Sequence, residues 1–136
     1  MLEGEYCIFC TEVVDGENGR DLLGVLDIIY GPKFPMRQEK LIAAAAFRTK
    51  KALLGQPLEL ILSYGFNGKE LASKPVVVNT KSPAGHVVPI IVDISGVGYP
   101  EPGLYTFIFK EDGKPILSKK LHVMNEEQMI KHARSL

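Results

Sequence analysis

Cys7 and Cys10 stand in a Cys-x-x-Cys spacing, the arrangement used by redox dithiols and by zinc sites. Their setting argues for a different role. They lie in the apolar run that starts at Glu5, which reads as a β-strand. Residues three apart on a strand face opposite sides and sit roughly 10 Å apart, beyond the reach of a disulfide. The chain has only these 2 cysteines, so no second ligand pair exists for zinc. Both are therefore expected to be reduced thiols that behave as small apolar residues, one or both of them buried.

The next cluster is Asp15-Gly16-Glu17-Asn18-Gly19-Arg20-Asp21. Hard cations take several oxygen ligands, and loops of this kind can bind calcium. The spacing does not match the twelve-residue helical calcium loop, and one loop supplies few ligands. A turn between strands is the simpler reading. The histidines, His86, His122 and His132, are dispersed and never occur at i,i+4. Ser82 lies near His86, but a nucleophile also needs an orienting acid and an oxyanion hole, and nothing here places them. Gly96-Val97-Gly98-Tyr99-Pro100 holds two glycines of a dinucleotide fingerprint, lacks the third, and Pro100 and Pro102 forbid the helix that should follow. No catalytic, cofactor-binding or metal-binding residue is assigned on these grounds, and no enzyme activity is expected.

The elements that would carry these residues are strands. Apolar segments recur between turn residues at Glu5–Val14, Leu22–Ile29, Leu41–Arg48, Leu58–Tyr64, Glu70–Val78, Val87–Ile94, Leu104–Lys110 and Ile116–Val123. Asn67-Gly68 and Asp112-Gly113 are hairpin signals, because both positions tolerate positive φ. Tyr105, Phe107 and Phe109 share one face of their strand, as do Leu58, Leu60 and Leu62 of theirs. One-sided strands need a second layer. Residues 37–54 pull two ways: Ala43 to Ala46 favour a helix by propensity, but the apolar positions make no clean helical stripe, and a strand is expected. Gly31-Pro32-Lys33-Phe34-Pro35-Met36 reads as a stiff loop that covers one end of the core or presents a contact surface. Asn125, with Gln128 three residues on, forms a capping-box pattern for a short terminal helix. Glu126, Glu127, Lys131, His132 and Arg134 suit its dipole, Glu127 and Lys131 have i,i+4 spacing, and Met129, Ala133 and Leu136 form a weak apolar stripe.

Three stretches resemble a family of small bacterial all-β domains of unknown function: Leu23-Gly24-Val25-Leu26-Asp27-Ile28-Ile29 after a Gly-rich turn, Pro32-Lys33-Phe34-Pro35, and Pro100-Glu101-Pro102-Gly103-Leu104-Tyr105-Thr106-Phe107 followed by Asp112-Gly113. The resemblance runs from about residue 5 to residue 123. It implies a sandwich fold in a bacterial cell and carries over no functional residue.

Together these readings predict an all-β chain: a two-layer antiparallel β-sandwich of about eight strands, immunoglobulin-like in the broad sense, over residues 1–124, with a helical tail at 125–136. With 136 residues and 46 % apolar side chains the chain can bury a core. Lys and Arg number 16 and Asp and Glu 16, a balance that gives no pull toward nucleic acid or an anionic membrane. No leader or membrane-spanning run is visible, so a cytoplasmic setting with reduced thiols is expected. The favoured function is a non-catalytic interaction or scaffold module that self-associates as a homodimer or takes another protein partner. The alternative is a small-ligand or calcium-binding domain using the strand-connecting loops. Self-association follows from Val87–Ile94: Val88, Ile90, Val92 and Ile94 enter the core, so Val87, Pro89 and Ile91 point outward and need a cover, a partner subunit, the terminal helix, or both. Pro89 marks an edge strand. Chelation with EDTA should leave the far-UV circular dichroism and melting temperature unchanged; a loss of structure would reveal a metal site around Asp15 to Asp21.

Overall fold

The two hairpin turns adopt the geometry their residues favour. Asn67 and Gly68 take φ values of 53° and 75°, and Asp112 and Gly113 take 50° and 79°. Paired positive φ matches the right-handed twist of the strands on either side. In the computed structural model, which describes residues 1–135, these turns join the four long strands of one sheet.

In chain order the strands are β1 (Leu2–Cys10), β2 (Glu12–Gly16), β3 (Gly19–Leu23), β4 (Ile28–Tyr30), β5 (Met36–Arg37), β6 (Ile42–Thr49), β7 (Leu53–Leu54), β8 (Leu58–Phe66), β9 (Lys69–Val78), β10 (Lys81–Ser82), β11 (Val87–Asp93), β12 (Gly98–Tyr99), β13 (Gly103–Glu111) and β14 (Lys114–Met124). One helix, α1 (Glu126–Ser135), follows. Two sheets carry the fold. A five-stranded sheet has the order β4-β14-β13-β8-β9, and a three-stranded sheet has the order β1-β6-β11. The protein is an all-β sandwich of eight strands in two layers. Short pairs β5–β12 and β7–β10 close its ends, and β2–β3 forms a ribbon of its own.

The core lies between the sheets and is centred on β13. Tyr105, Phe107 and Phe109 are all buried. Phe107 meets Phe9 of β1 edge-on at 5.1 Å and stacks on Tyr64 of β8 at 5.5 Å. Phe109 meets Phe47 of β6 edge-on at 5.3 Å. Tyr105 stacks on Phe66 at 4.7 Å and receives Tyr99 edge-on at 5.0 Å. Edge-to-face and offset contacts of this kind add about 0.5–1.5 kcal/mol each beyond burial. Where the two sheets close on each other, β1 passes tightly over β14: a Cβ on Gly4 would lie 2.2 Å from the Ile116 carbonyl oxygen. Beside this seam the buried Glu111 carboxylate accepts the Leu2 N–H at 3.0 Å and pairs with the Met1 ammonium at 3.0 Å.

Three expectations need correcting. Glu5–Val14 is not one strand: β1 ends at Cys10, and β2 belongs to a separate ribbon. Leu22–Ile29 divides likewise, into the end of β3 and the short β4. The break is built at Thr11 and Gly24. The Thr11 N–H donates to the Leu23 carbonyl at 3.0 Å. Gly24 has φ of 65°, and its missing Cβ leaves room for Thr11 Oγ1, which would lie 2.2 Å from it. Third, the sandwich is not wholly antiparallel, because β4 joins β14 in parallel through Ile28, Ile29 and Tyr30.

Residues 42–49 form a strand, as the lack of a helical stripe predicts. β6 is the central strand of its sheet and bonds to a neighbour on each side, which overrides the helix propensity of Ala43 to Ala46. β11 is an edge strand with Val88, Ile90 and Val92 buried and Val87, Pro89 and Ile91 outward. The capping box also forms: the Gln128 N–H donates to Asn125 Oδ1 at 2.8 Å, and the Asn125 N–H to Gln128 Oε1 at 3.0 Å. Among the described residues, no helix is long and apolar enough to cross a membrane.

Phe107 touches both layers, so Phe107→Ala should lower the unfolding free energy in urea by about 3–5 kcal/mol. Ile108→Ala, one position along on the outer face, should cost less than half of that.

Candidate functional site: an apolar cleft on the outer face of the three-stranded sheet

The residues singled out for their chemistry do not converge. Cys7 and Cys10 are both buried, free, and on opposite faces of β1. Burial pushes the Cys7 thiol up to about 11 and raises that of Cys10 as well, the reverse of what a reactive thiolate requires. Asp15 to Asp21 is a hairpin rather than an open loop. In its register Asp15 lies opposite Arg20 and Asp21 opposite Val14, so alternation sends the two carboxylates to opposite faces. Asp15 pairs with Arg20 at 3.6 Å. Among the described residues, no three His, Cys, Asp or Glu side chains gather as a metal site would need. Ser82 Oγ donates to the carbonyl of Pro83. His86, exposed, offers its carbonyl to the Thr49 N–H at 2.9 Å. His122 lies on β14 and His132 on α1.

The glycine segment is structural. The Gly96 N–H donates to the Gln38 carbonyl at 2.8 Å, and Gly98 and Tyr99 form β12 against β5. Phe34 and Met36 pack on the core, so the Gly31–Met36 loop covers one end of it. Tyr99 is fully buried, and its hydroxyl finds no hydrogen-bond partner among the described residues.

What the fold does assemble is a cleft on the outer face of β1-β6-β11. The register sets its rows. Tyr6, Ala46 and Pro89 lie side by side, then Ile8, Ala44 and Ile91, then Cys10, Ile42 and Asp93. The central strand contributes alanines, while its neighbours contribute larger apolar side chains. The result is a trough: Ala44 is buried at its floor, and Tyr6 and Ile91 remain 50 % and 38 % exposed at its sides. The β2–β3 ribbon folds back beside this face after Thr11. Val13 and Leu22 pair across it and are half-buried, while Val14 and Leu23 are exposed. Gly19, Arg20 and Leu22 thus wall a space of about 430 Å³ with Tyr6, Ala44, Pro89 and Ile91. At one end Arg48 pairs with Glu5 and donates to the Gly85 carbonyl at 2.6 Å. At the other stands Asp93, whose carboxyl is held below the usual carboxylate range by its hydrogen bonds with Ser95.

The terminal helix is not the cover for this face. α1 has no buried residue; Met129 and His132 are half-buried, while Ile130 is 46 % exposed. Leu136, expected in its apolar stripe, lies outside the described residues. Sequence reasoning found the outward side of β11 but missed Tyr6, Ile8, Ala44 and Ala46. The signal was present: Ile42 to Phe47 is apolar on both faces, just as Val87 to Ile94 is.

A chain built this way, eight strands in two layers with an apolar outer face and no converging polar groups among the described residues, falls in the class of sandwich domains. Its family follows from the comparison of sequences: residues 5–124 match the model of the family of unknown function DUF6941, and the chain belongs to that family. No curated protein matches the sequence. Among solved structures, the chain is similar to an immunoglobulin-like protein from Pseudomonas aeruginosa, at 10 % identity and a TM-score of 0.47, over 91 % of this chain and 97 % of that one.

The buried thiol gives the fold an alkaline limit. Cys7 keeps its proton up to about pH 11 when folded, against 9.0 for an ordinary thiol. Its contribution is complete below pH 9 and is lost as pH rises toward 11, because the unfolded thiol ionises first. Stability should therefore fall with pH in that window, by up to about 1.4 kcal/mol per pH unit for this one proton. Denaturant midpoints measured from pH 8 to 11 should fall less steeply for Cys7→Ala than for the parent; equal slopes would refute the assignment.

Proposed function

We propose that this chain is a non-catalytic interaction module of a bacterial cytoplasm, and that it self-associates through the outer face of its three-stranded sheet. One observation carries the reading: the trough over Ala44, with Tyr6 on one side and Pro89 and Ile91 on the other. Alternation along β6 places apolar residues on both faces of the sheet, and a sheet is built so when both faces are to be covered. Pro89 cannot donate to a further strand, which turns association away from the β11 edge and onto the face. A twofold pair is the commonest way to bury such a surface. The bacterial setting is supported by the family resemblance, and the cytoplasmic one by two free, buried thiols.

Size-exclusion chromatography with light scattering should find a dimer at micromolar concentration. Ile91→Glu should weaken it by an order of magnitude or more, about 1.4 kcal/mol or above, with the circular dichroism unchanged. A strict monomer at high micromolar concentration would overturn the proposal.

A further inference from the structure

β9 fills the core from only part of its inward face. Val78 and Val76, opposite Leu58 and Leu60, are buried. The next two inward positions are Lys74 and Ala72, opposite Leu62 and Tyr64. A charged residue and a small one thus stand where the pattern calls for large apolar side chains. They leave a cavity of about 100 Å³ that opens between β9 and β11. Leu62, Tyr64 and Phe107 form its back wall, and Ile94 and Val97, which follow β11, form the facing side.

The two long sides of the sandwich differ. On one, β1 passes closely over β14 at Gly4, and Glu111 ties the start of β1 down. On the other, one hydrogen bond joins β9 to the end of β11 among the described residues. Lys74 Nζ donates to the Asp93 carbonyl at 2.8 Å, across the mouth of the cavity.

The chemistry of the walls selects the ligand. Ser63 and Ser73 also border the cavity, but they pair on the alternate positions and turn toward the outer face. Lys74 is the one charged residue in the lining, and its ammonium is already bonded to a carbonyl. An ionic ligand would lose its hydration here and find no free partner. Strand addition is disfavoured as well. β9 and β11 are edge strands, and Pro75 and Pro89 each remove an N–H that an added strand would need. What fits is a small uncharged apolar molecule. An apolar cavity of roughly 150 Å³ binds benzene or xenon. At about 100 Å³ this one accepts xenon as it stands, while a flat ring requires the Lys74 tie to yield.

We propose that this cavity binds a small uncharged apolar molecule, entered between β9 and β11 and closed by Lys74. The site is separate from the outer face of the three-stranded sheet and does not depend on self-association. Methyl NMR of the full chain under xenon tests it. The methyl signals of Leu62, Ile94 and Val97 should shift and saturate with xenon pressure. Those of Leu121 and Val123, on β14 beyond β13, should stay in place. Ala72→Leu puts a larger side chain on an inward position of the wall and should abolish the shifts, with the circular dichroism unchanged. Lys74→Ala removes the tie and should tighten benzene binding, read from the same methyl signals, about fivefold, the worth of one hydrogen bond. If xenon leaves the Leu62, Ile94 and Val97 methyls of the parent chain unmoved, the proposal is overturned, whatever the variants do. Shifts that persist in folded Ala72→Leu put the xenon elsewhere and overturn it too. Unchanged benzene affinity in Lys74→Ala overturns the role of Lys74 as the closure.

Discussion

The aromatic column on β13 is the constraint on which the structure depends. Tyr105, Phe107 and Phe109 point the same way because they alternate with Thr106 and Ile108, and each finds an aromatic partner contributed by another strand. Phe9 and Phe47 come from the opposite layer, so these contacts fix how the two sheets lie on each other. The contacts of Tyr105 with Phe66 and Tyr99 extend the column to the end closed by the β5–β12 pair. Aromatic rings dominate core energetics through their area and constrain geometry through their quadrupoles.

Fixing the sheets in this way determines what stays outside. Once Phe9 and Phe47 face inward, alternation obliges Ile8, Ala44 and Ala46 to face outward. The three-stranded sheet therefore carries a second apolar face that the sandwich core does not use, buried at Ala44 and Ala46 and exposed at Tyr6 and Ile91. The opposite layer differs, carrying Thr106, Ile108 and Lys110 on its outer side of β13, a mixture suited to solvent. The two outer faces thus differ in chemistry. The difference also explains the position of the β2–β3 ribbon, which turns back at Thr11 and Gly24 and partly walls the apolar side.

Several polar groups hold the frame. Glu111, buried, ties the start of β1 to the end of β13. Thr49, also buried, donates through Oγ1 to the Pro83 carbonyl at 2.7 Å. Lys74 of β9 reaches the Asp93 carbonyl at 2.8 Å, joining the free edges of the two sheets. Each satisfies a backbone group where the sandwich would otherwise open, and a buried polar group left unpaired costs more than a made bond gains.

The sequence alone settled the features governed by period and turn chemistry. Alternation at Tyr105, Phe107 and Phe109 and at Val88, Ile90 and Val92 identified inward faces, since a strand gives its side chains only two directions. Asn67-Gly68 and Asp112-Gly113 announced their hairpins, since few residues accept positive φ. Asn125 and Gln128 marked the helix start, since a capping box is a contact between near neighbours. What tertiary structure alone decided was whatever depends on residues far apart in the chain. The break at Thr11 rests on its fit against Gly24, and the parallel pairing of β4 with β14 joins segments some ninety residues apart. The trough needed three strands in register to bring Tyr6, Ala46 and Pro89 into one row. Each of those residues looks ordinary in its own segment. Only side-by-side pairing, set by the packing of the aromatic column, makes a surface of them.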